Sequence, residues 1–193
     1  SFADWPTIEK HLIETFRQEG APYIANAPKD DLEWLMLAQH HGVPTRLLDW
    51  TTSPTIALFF AVEENWAEDA DVWCLGFPST HNCLPRSTHF ARRLTLRKTT
   101  IVVFPTHISP RIVNQDGCFT IHDSAVPLND RPDIKALSFR FVRLRIKAAD
   151  KPRIMDDLFN MGVHRAFIFP GLDGLAKKIV YEATVMCDRR SAD

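Results

Sequence analysis

A strong net charge, a paired-cysteine metal framework and a long apolar run are all missing from this sequence. Its 193 residues carry 23 Lys and Arg against 24 Asp and Glu, a formal net charge of −1. No global field therefore draws the protein to nucleic acid or to an anionic membrane. None of the four cysteines belongs to a CxxC pair, and their spacing fits no zinc framework. The longest apolar run, at 56–62, is too short to span a bilayer.

What is present is the composition of an ordinary globular protein, 45% hydrophobic and 24% charged. The length predicts a single domain over 1–193 with a sizeable core. Cys74 and Cys118 lie in apolar strand-like runs and are expected to be buried thiols. Free cysteines favour a reducing, cytoplasmic setting. The chain opens with Ser1, and its first residues resemble the middle of a domain, so we expect an N-terminal segment to be missing.

Hydrophobic periodicity and turn residues predict an alternation of helices and strands. Helices are expected at 6–19, 30–42, 54–65, 109–114, 151–161 and 172–185. Strands are expected at 71–77, 100–104, 118–122, 139–146 and 165–169, with a short extended segment at 45–49. The segments 78–96 and 127–133 are expected to be loops. This pattern predicts an α+β fold with a mixed sheet and flanking helices.

The most informative stretch is 39–61, which reads QHHGVPTRLLDWTTSPTIALFFA. Between two apolar helical segments it places nine polar side chains in fifteen residues: Gln39, His40, His41, Thr45, Arg46, Asp49, Thr51, Thr52 and Ser53. A core segment alone does not need that density of donors, acceptors and titratable groups. Loops held between rigid elements are where sites are usually built, so this stretch predicts a functional site.

Ser53 and Pro54 predict a helix start, with the serine as N-cap and the proline at the first helical position. The inward face of that helix is expected to comprise Ile56, Ala57, Phe60 and Ala61. Free backbone N–H groups at the helix start would hold a phosphate or carboxylate, which Arg46 would clamp. On the alternative interpretation, Ser53 only caps, Arg46 pairs with Asp49, and both histidines satisfy buried carbonyl groups. Adjacent helical residues do not face each other, so the histidine pair predicts no metal site.

Two later segments also carry candidate residues. In 111–122, RIVNQDGCFTIH, Gln115 precedes a glycine at a strand entry and is placed to present its amide to a pocket. Alternatively, that amide satisfies the backbone of the turn. In 169–175, FPGLDGL, Asp173 is expected to be a first-turn helix residue. The basic clusters at 92–98 and 140–147 are interpreted as solvated strand or loop faces.

The 39–61 block resembles the hallmark of the FRG domain family, which runs close to QHHG-(L/V)-PTRLLDW-(T/S)-x-(N/S)-P-x-x-AL-x-FA. The segments around Gln115 and Asp173 are similar to two later motifs of the family, R-I-x-x-Q-x-G-x-F-T and FP-x-LDGLA, in the same order. The resemblance extends from about residue 5 to about residue 182. The aromatic-Arg-Gly motif that names the family is absent from these 193 residues.

The FRG pattern is also similar, at the level of the fold, to the ADP-ribosyltransferase superfamily. That resemblance implies a transferase-like fold that uses NAD, with ADP-ribosyltransferase or NAD hydrolase activity, as in a toxin or an antiphage defence effector. The implied catalytic residues are Gln115, Ser53 and Thr51. The implied NAD-binding residues are His40, His41, Thr45, Arg46, Asp49, Trp50 and Phe119. Gln115 departs from the glutamate common in that superfamily, and the early arginine has no counterpart here.

The implied acceptor is a protein or a nucleic acid, and no membrane partner is expected. Two alternatives remain open from the residues. One is a non-catalytic module that binds a nucleotide or a partner. The other is a nuclease that uses His40, His41 and Arg46 for acid–base and phosphate chemistry.

Overall fold

The computed structural model describes residues 5–77, 83–84, 100–105, 110–122, 128–130 and 140–190. The helices in these ranges are α1 Trp5–Gly20, α2 Asp31–His40, α3 Pro54–Val62, α4 Pro110–Asn114, α5 Lys151–Asn160, α6 Arg165–Ile168 and α7 Leu172–Arg190. The strands are β1 Leu47–Thr51, β2 Ala70–Gly76, β3 Cys83–Leu84, β4 Ile101–Val103, β5 Gly117–Ile121 and β6 Arg140–Ile146. Short 3-10 turns cover Ala21–Tyr23, Leu128–Asp130 and Ala148–Asp150. The fold is α+β, as predicted.

The chain divides into two compact units that alternate along the sequence. The first unit comprises Ser1–Trp50, Gly76–Ile108 and Cys118–Arg140. The second comprises Thr51–Leu75, Ser109–Gly117 and Phe141–Asp193. The 39–53 block is therefore shared between the units, because the division falls inside β1. The single domain expected over 1–193 stays a prediction.

The first unit is built around a four-stranded sheet in the order β1-β5-β4-β3. β4 pairs antiparallel with β5, with Ile101 opposite Ile121, and parallel with β3. The sheet is therefore mixed, in agreement with the prediction. Its core also includes residues of α2, so that the buried cluster consists of Leu32, Met36, Leu47, Ile101, Val103, Phe119 and Ile121. Burial of such apolar side chains is the main stabilising contribution.

The second unit holds the two-stranded sheet of β2 and β6 together with α3 to α7. Its core consists of Ile56, Phe59, Val62, Ile146, Met155, Leu158 and Ile168. Lys151, at the start of α5, is only 1% exposed. Its Nζ donates to the carbonyl oxygens of Glu64 and Asn65, both at 3.1 Å. This buried amine thus satisfies two carbonyl groups just beyond the end of α3.

Local signals set the ends of α2, the helix that leads into the 39–53 block. The Asp30 carboxylate accepts a hydrogen bond from the backbone N–H of Glu33 at 2.9 Å, as an N-cap does. Asp31 and Glu33 place negative charge in the first turn, where the helix dipole favours it. Gly42 follows the helix with φ +88°, a conformation that glycine adopts without strain. The predicted helix over 30–42 is confirmed.

Four sequence predictions about local structure were wrong. The segment 165–169 was expected to be a strand but contains α6, because the His164 ring accepts from the Phe167 backbone N–H at 3.1 Å and caps a helix. In α3, Ile56 is buried and Ala61 packs against the core as predicted, but Phe59 is buried in place of Phe60, which is 41% exposed. Of the two thiols expected to be buried, Cys118 is buried but Cys74 is exposed. Of the loop predicted at 78–96, Cys83 and Leu84 form β3; the other residues lie outside the described ranges.

Candidate functional site

Three polar residues of the 39–53 block bind each other in the first unit. The amide Nε2 of Gln39 donates to the Asp49 carboxylate at 2.5 Å. The Thr45 hydroxyl donates to the Gln39 amide oxygen and accepts from the Leu47 backbone N–H at 3.2 Å. These bonds join the end of α2 to β1 across the intervening turn. Thr45 and Asp49, both predicted to bind NAD, therefore hold the turn in place.

Arg46 is held by a carboxylate that the sequence did not single out. Glu9 of α1 is only 3% exposed. It accepts hydrogen bonds from the Arg46 backbone N–H at 2.6 Å and from the Arg46 guanidinium. The predicted pairing of Arg46 with Asp49 is replaced by this buried ion pair. The charge of this guanidinium is therefore already balanced within the first unit. The nuclease alternative stays a prediction.

The two histidines contact each other at the C-terminal end of α2. Their ring centroids lie 5.0 Å apart, edge to face. The His41 ring also lies 6.3 Å from the Phe16 ring of α1. His41 is exposed and His40 is half-buried. Their predicted role in binding NAD stays a prediction.

Trp50 belongs to a hydrogen-bonded chain that reaches β5. Its indole Nε1 donates to the Thr120 hydroxyl at 2.9 Å, and that hydroxyl lies 3.0 Å from Nε2 of His122. Thr120 is fully buried, and Phe119 is 4% exposed within the core of the first unit. The ring of Phe119 is thus part of the core. The NAD-binding roles expected for Phe119 and Trp50 stay predictions.

The serine–threonine segment and the glutamine segment meet in the second unit. The Thr51 hydroxyl donates to the backbone carbonyl of Gln115 at 2.7 Å, although the two residues are 64 positions apart. The Thr52 backbone N–H donates to the Asp116 carbonyl at 3.1 Å. The Ser53 backbone N–H donates to the Thr51 hydroxyl at 3.0 Å. Thr51 is therefore the link between the two segments.

The side chains of Gln115 and Ser53 have defined partners. Nε2 of Gln115 donates to the Ile168 carbonyl at 3.3 Å, at the end of α6. The Ser53 hydroxyl lies 3.0 Å from the Thr55 hydroxyl and makes no capping bond to a backbone N–H. Ser53 thus occupies the N-cap position, and Pro54 follows, but the predicted side-chain cap is replaced by a bond between hydroxyls. We name Thr51, Ser53 and Gln115 the Thr–Ser–Gln cluster.

A model of the FRG domain matches residues 2–70. The match covers 69 of the 193 residues. The match contains the 39–61 block, and it confirms the family predicted from that block. No curated protein and no solved structure matches the chain.

Beside the Thr–Ser–Gln cluster lies a group of charged residues that the sequence did not predict as a site. The guanidinium carbons of Arg111 and Arg165 lie 4.7 and 4.8 Å from the centre of the Phe169 ring. Arg165 also pairs with Glu63. Burial raises the pKa of Glu63, and Arg165 opposes that effect. The sequence could have indicated this group, because Arg111 and Phe169 lie in the two later segments that resemble FRG motifs.

Two features are absent from the residues that the structure describes. Within them, no three His, Cys, Asp or Glu side chains are grouped to hold a metal ion. No helix among them is both long enough and apolar enough to cross a membrane. The basic cluster at 92–98, considered for nucleic acid, lies outside the described ranges.

Proposed function

We propose that this FRG domain protein binds NAD at the Thr–Ser–Gln cluster and releases nicotinamide from it. The hydrogen bond from the Thr51 hydroxyl to the Gln115 carbonyl carries the proposal. It joins a serine–threonine segment that leads into a helix with a glutamine that precedes a strand. An ADP-ribosyltransferase-like plan requires these two segments to meet, and the sequence could only order them along the chain.

The proposed reaction breaks the bond between C1′ of the nicotinamide ribose and the pyridinium nitrogen. The bonding electrons leave with nicotinamide, and positive charge develops on the ribose. Gln115 donates its Nε2 hydrogen to the Ile168 carbonyl, so its amide oxygen is the end that can accept from a ribose hydroxyl. The hydroxyls of Thr51 and Ser53 would orient the ribose and the nicotinamide amide. Most of the rate would come from positioning and electrostatics.

The group that attacks C1′ decides the outcome. If water adds and loses a proton, the products are ADP-ribose and nicotinamide, and the protein is an NAD hydrolase. If a protein or nucleic-acid nucleophile adds, the protein is a transferase. Loss of cellular NAD would stop growth, which is the effect expected of a toxin or an antiphage effector.

One observation favours a second candidate, nucleotide binding without turnover. Gln115 carries an amide where a carboxylate would stabilise the developing cation more strongly. One of its two N–H donors is also taken by a backbone carbonyl group. A cluster with fixed, neutral side chains suits recognition of a ribose as well as it suits catalysis.

The test uses purified full-length protein, with NAD binding followed by calorimetry and nicotinamide release followed by chromatography. Gln115→Met removes the amide at similar length, and Ser53→Ala removes one hydroxyl. Each variant should weaken NAD binding by about tenfold, the usual value of one good hydrogen bond to a bound ligand. The hydrolase or transferase proposal further requires that both variants lose most of the nicotinamide release.

A matched control comes from Thr184 in α7, whose hydroxyl donates to the Val180 carbonyl at 2.9 Å on an exposed face. Thr184→Val removes a threonine hydroxyl in the same unit and should leave NAD binding unchanged. Binding without any release of nicotinamide would select the second candidate. No binding of NAD by the native protein would refute both.

A further inference from the structure

The charged group beside Phe169 suggests what part of a ligand binds there. We propose that Arg111, which lies beside the ion pair of Arg165 and Glu63, forms a binding site for the phosphate groups of a nucleotide. This inference rests on the proposed function, since the site would hold the pyrophosphate of NAD. It adds a residue, Arg111, for which the sequence predicted no role.

Arg111 is held in place without being neutralised. A cation–π contact fixes a guanidinium by attraction to the ring face, and it leaves the positive charge uncompensated. The guanidinium carbon of Arg111 lies 4.7 Å from the centre of the Phe169 ring. Among the residues that the structure describes, the ion pairs include a carboxylate partner for Arg165 but none for Arg111. Arg111 is half-buried, so water screens its charge only partly.

The charges around Phe169 leave a positive surplus. Arg165, Lys177 and Arg111 all lower the pKa of Glu63, whereas its burial and the nearby Glu64 raise it. Lys177 and Glu64 are both exposed, so they offset each other in solvent. Glu63, whose side chain is 10% exposed, neutralises Arg165. What remains is the charge of Arg111, and an anion of the ligand would balance it.

Backbone geometry places this charge close to the Thr–Ser–Gln cluster. Arg111 lies one helical turn before Gln115, and the Gln115 backbone N–H donates to the Arg111 carbonyl at 2.9 Å. Asn114 and Gln115 both donate to carbonyl groups at the end of α6, immediately before Phe169. A ligand whose ribose meets Gln115 therefore has its phosphates within reach of Arg111. Guanidinium groups bind phosphate oxygens in pairs, which suits this placement.

The experiment measures binding of NAD and, separately, of inorganic pyrophosphate to full-length protein. Arg111→Gln removes the charge, and Arg111→Lys keeps the charge but loses the forked donors. We expect Arg111→Gln to weaken both ligands by about ten- to a hundredfold, the usual range for one charged hydrogen bond or two. Arg111→Lys should give a smaller loss. If Arg111→Gln does not fold, the affinities of Arg111→Lys test the proposal instead.

The control is Arg153→Gln, because Arg153 is a highly exposed arginine of α5 in the same unit, 3.9 Å from Asp157. It removes the same charge from an exposed position, where Arg153 is near Asp157, and should not change either affinity. If NAD binds and Arg111→Gln behaves like this control, the phosphate site is refuted while the NAD proposal stands. If pyrophosphate binds in an Arg111-dependent manner but NAD does not bind, the proposed function fails and the anion site stands. Absence of both kinds of binding overturns both.

Discussion

The buried ion pair between Glu9 and Arg46 predicts that the arginine of the FRG hallmark is needed for folding. Glu9→Ala would remove the carboxylate that accepts from the Arg46 backbone N–H at 2.6 Å and from its guanidinium. The Glu9 side chain is 4% exposed and that of Arg46 is 27% exposed. Loss of one partner from a buried pair costs about 3–5 kcal/mol. Because water still reaches part of Arg46, we expect the low end, about 3 kcal/mol of unfolding free energy.

The assay is thermal and urea unfolding of Glu9→Ala, Arg46→Ala and the double variant. For a chain of this length, a loss of about 3 kcal/mol lowers Tm by about 6–12 °C. The double variant should be less destabilised than the sum of the single ones by about 2 kcal/mol, since each variant removes the same interaction. Additive losses would refute the idea that the pair acts as a unit.

The control lies on the same helix. Lys10 and Glu14 are 3.8 Å apart, with side chains 76% and 56% exposed. Lys10→Ala should cost no more than about 0.5 kcal/mol, as exposed ion pairs do. If Arg46→Ala were as mild as this control and yet abolished NAD binding, Arg46 would be a ligand residue and the structural role would be wrong.

Three further predictions concern the second unit. Lys151→Met removes the donor to the Glu64 and Asn65 carbonyl groups and should reduce the urea-unfolding free energy by about 1–3 kcal/mol, the net value of two hydrogen bonds. Gly174→Ala should prevent α7 from packing as it does, because its Cβ would lie 1.9 Å from the Phe169 carbonyl oxygen, and circular dichroism should show a much lower Tm. Hydrogen bonds from Arg145 hold the pKa of the Asp71 carboxyl below its usual range; Arg145→Gln should raise it in an NMR titration. The pair therefore stabilises the fold above the ordinary Asp pKa, and that contribution is lost as the pH falls through the lowered value.

Each of these predictions has a matched control or an outcome that would contradict it. Gly20→Ala adds a Cβ that meets only the end of the Ile24 side chain at 3.6 Å, so it should leave Tm almost unchanged. Lys178→Met removes a lysine that pairs with Glu182 on the surface of α7, and it should cost much less than Lys151→Met. An unchanged Asp71 titration in Arg145→Gln would show that Arg145 does not set that pKa. A Gly174→Ala protein as stable as Gly20→Ala would show that the approach of α7 to Phe169 is looser than described.

The α6 helix shows where reading the sequence fails. The residues at 165–169 form a short apolar run, and such a run has too few positions to distinguish a period of two from a period of 3.6. The capping ring of His164 decides between them, and a histidine cap is outside the usual serine, threonine and aspartate signals. The inward face of α3 was missed for a related reason. Its residues are apolar nearly all round, so only the packing of the second unit selects Phe59 over Phe60.

The sequence by itself determined the elements whose signals lie within a few residues. The Asp30 cap and Gly42 set α2, and the alternating apolar residues set β5, because capping and periodicity depend on near neighbours along the chain. It also indicated the FRG resemblance through one dense block, and the FRG model matches residues 2–70. The tertiary structure alone decided the partners of that block: Glu9 for Arg46 at a separation of 37 residues, and Gln115 for Thr51 at 64. Such pairs depend on which faces the elements bury against each other, and no local pattern of residues contains that information.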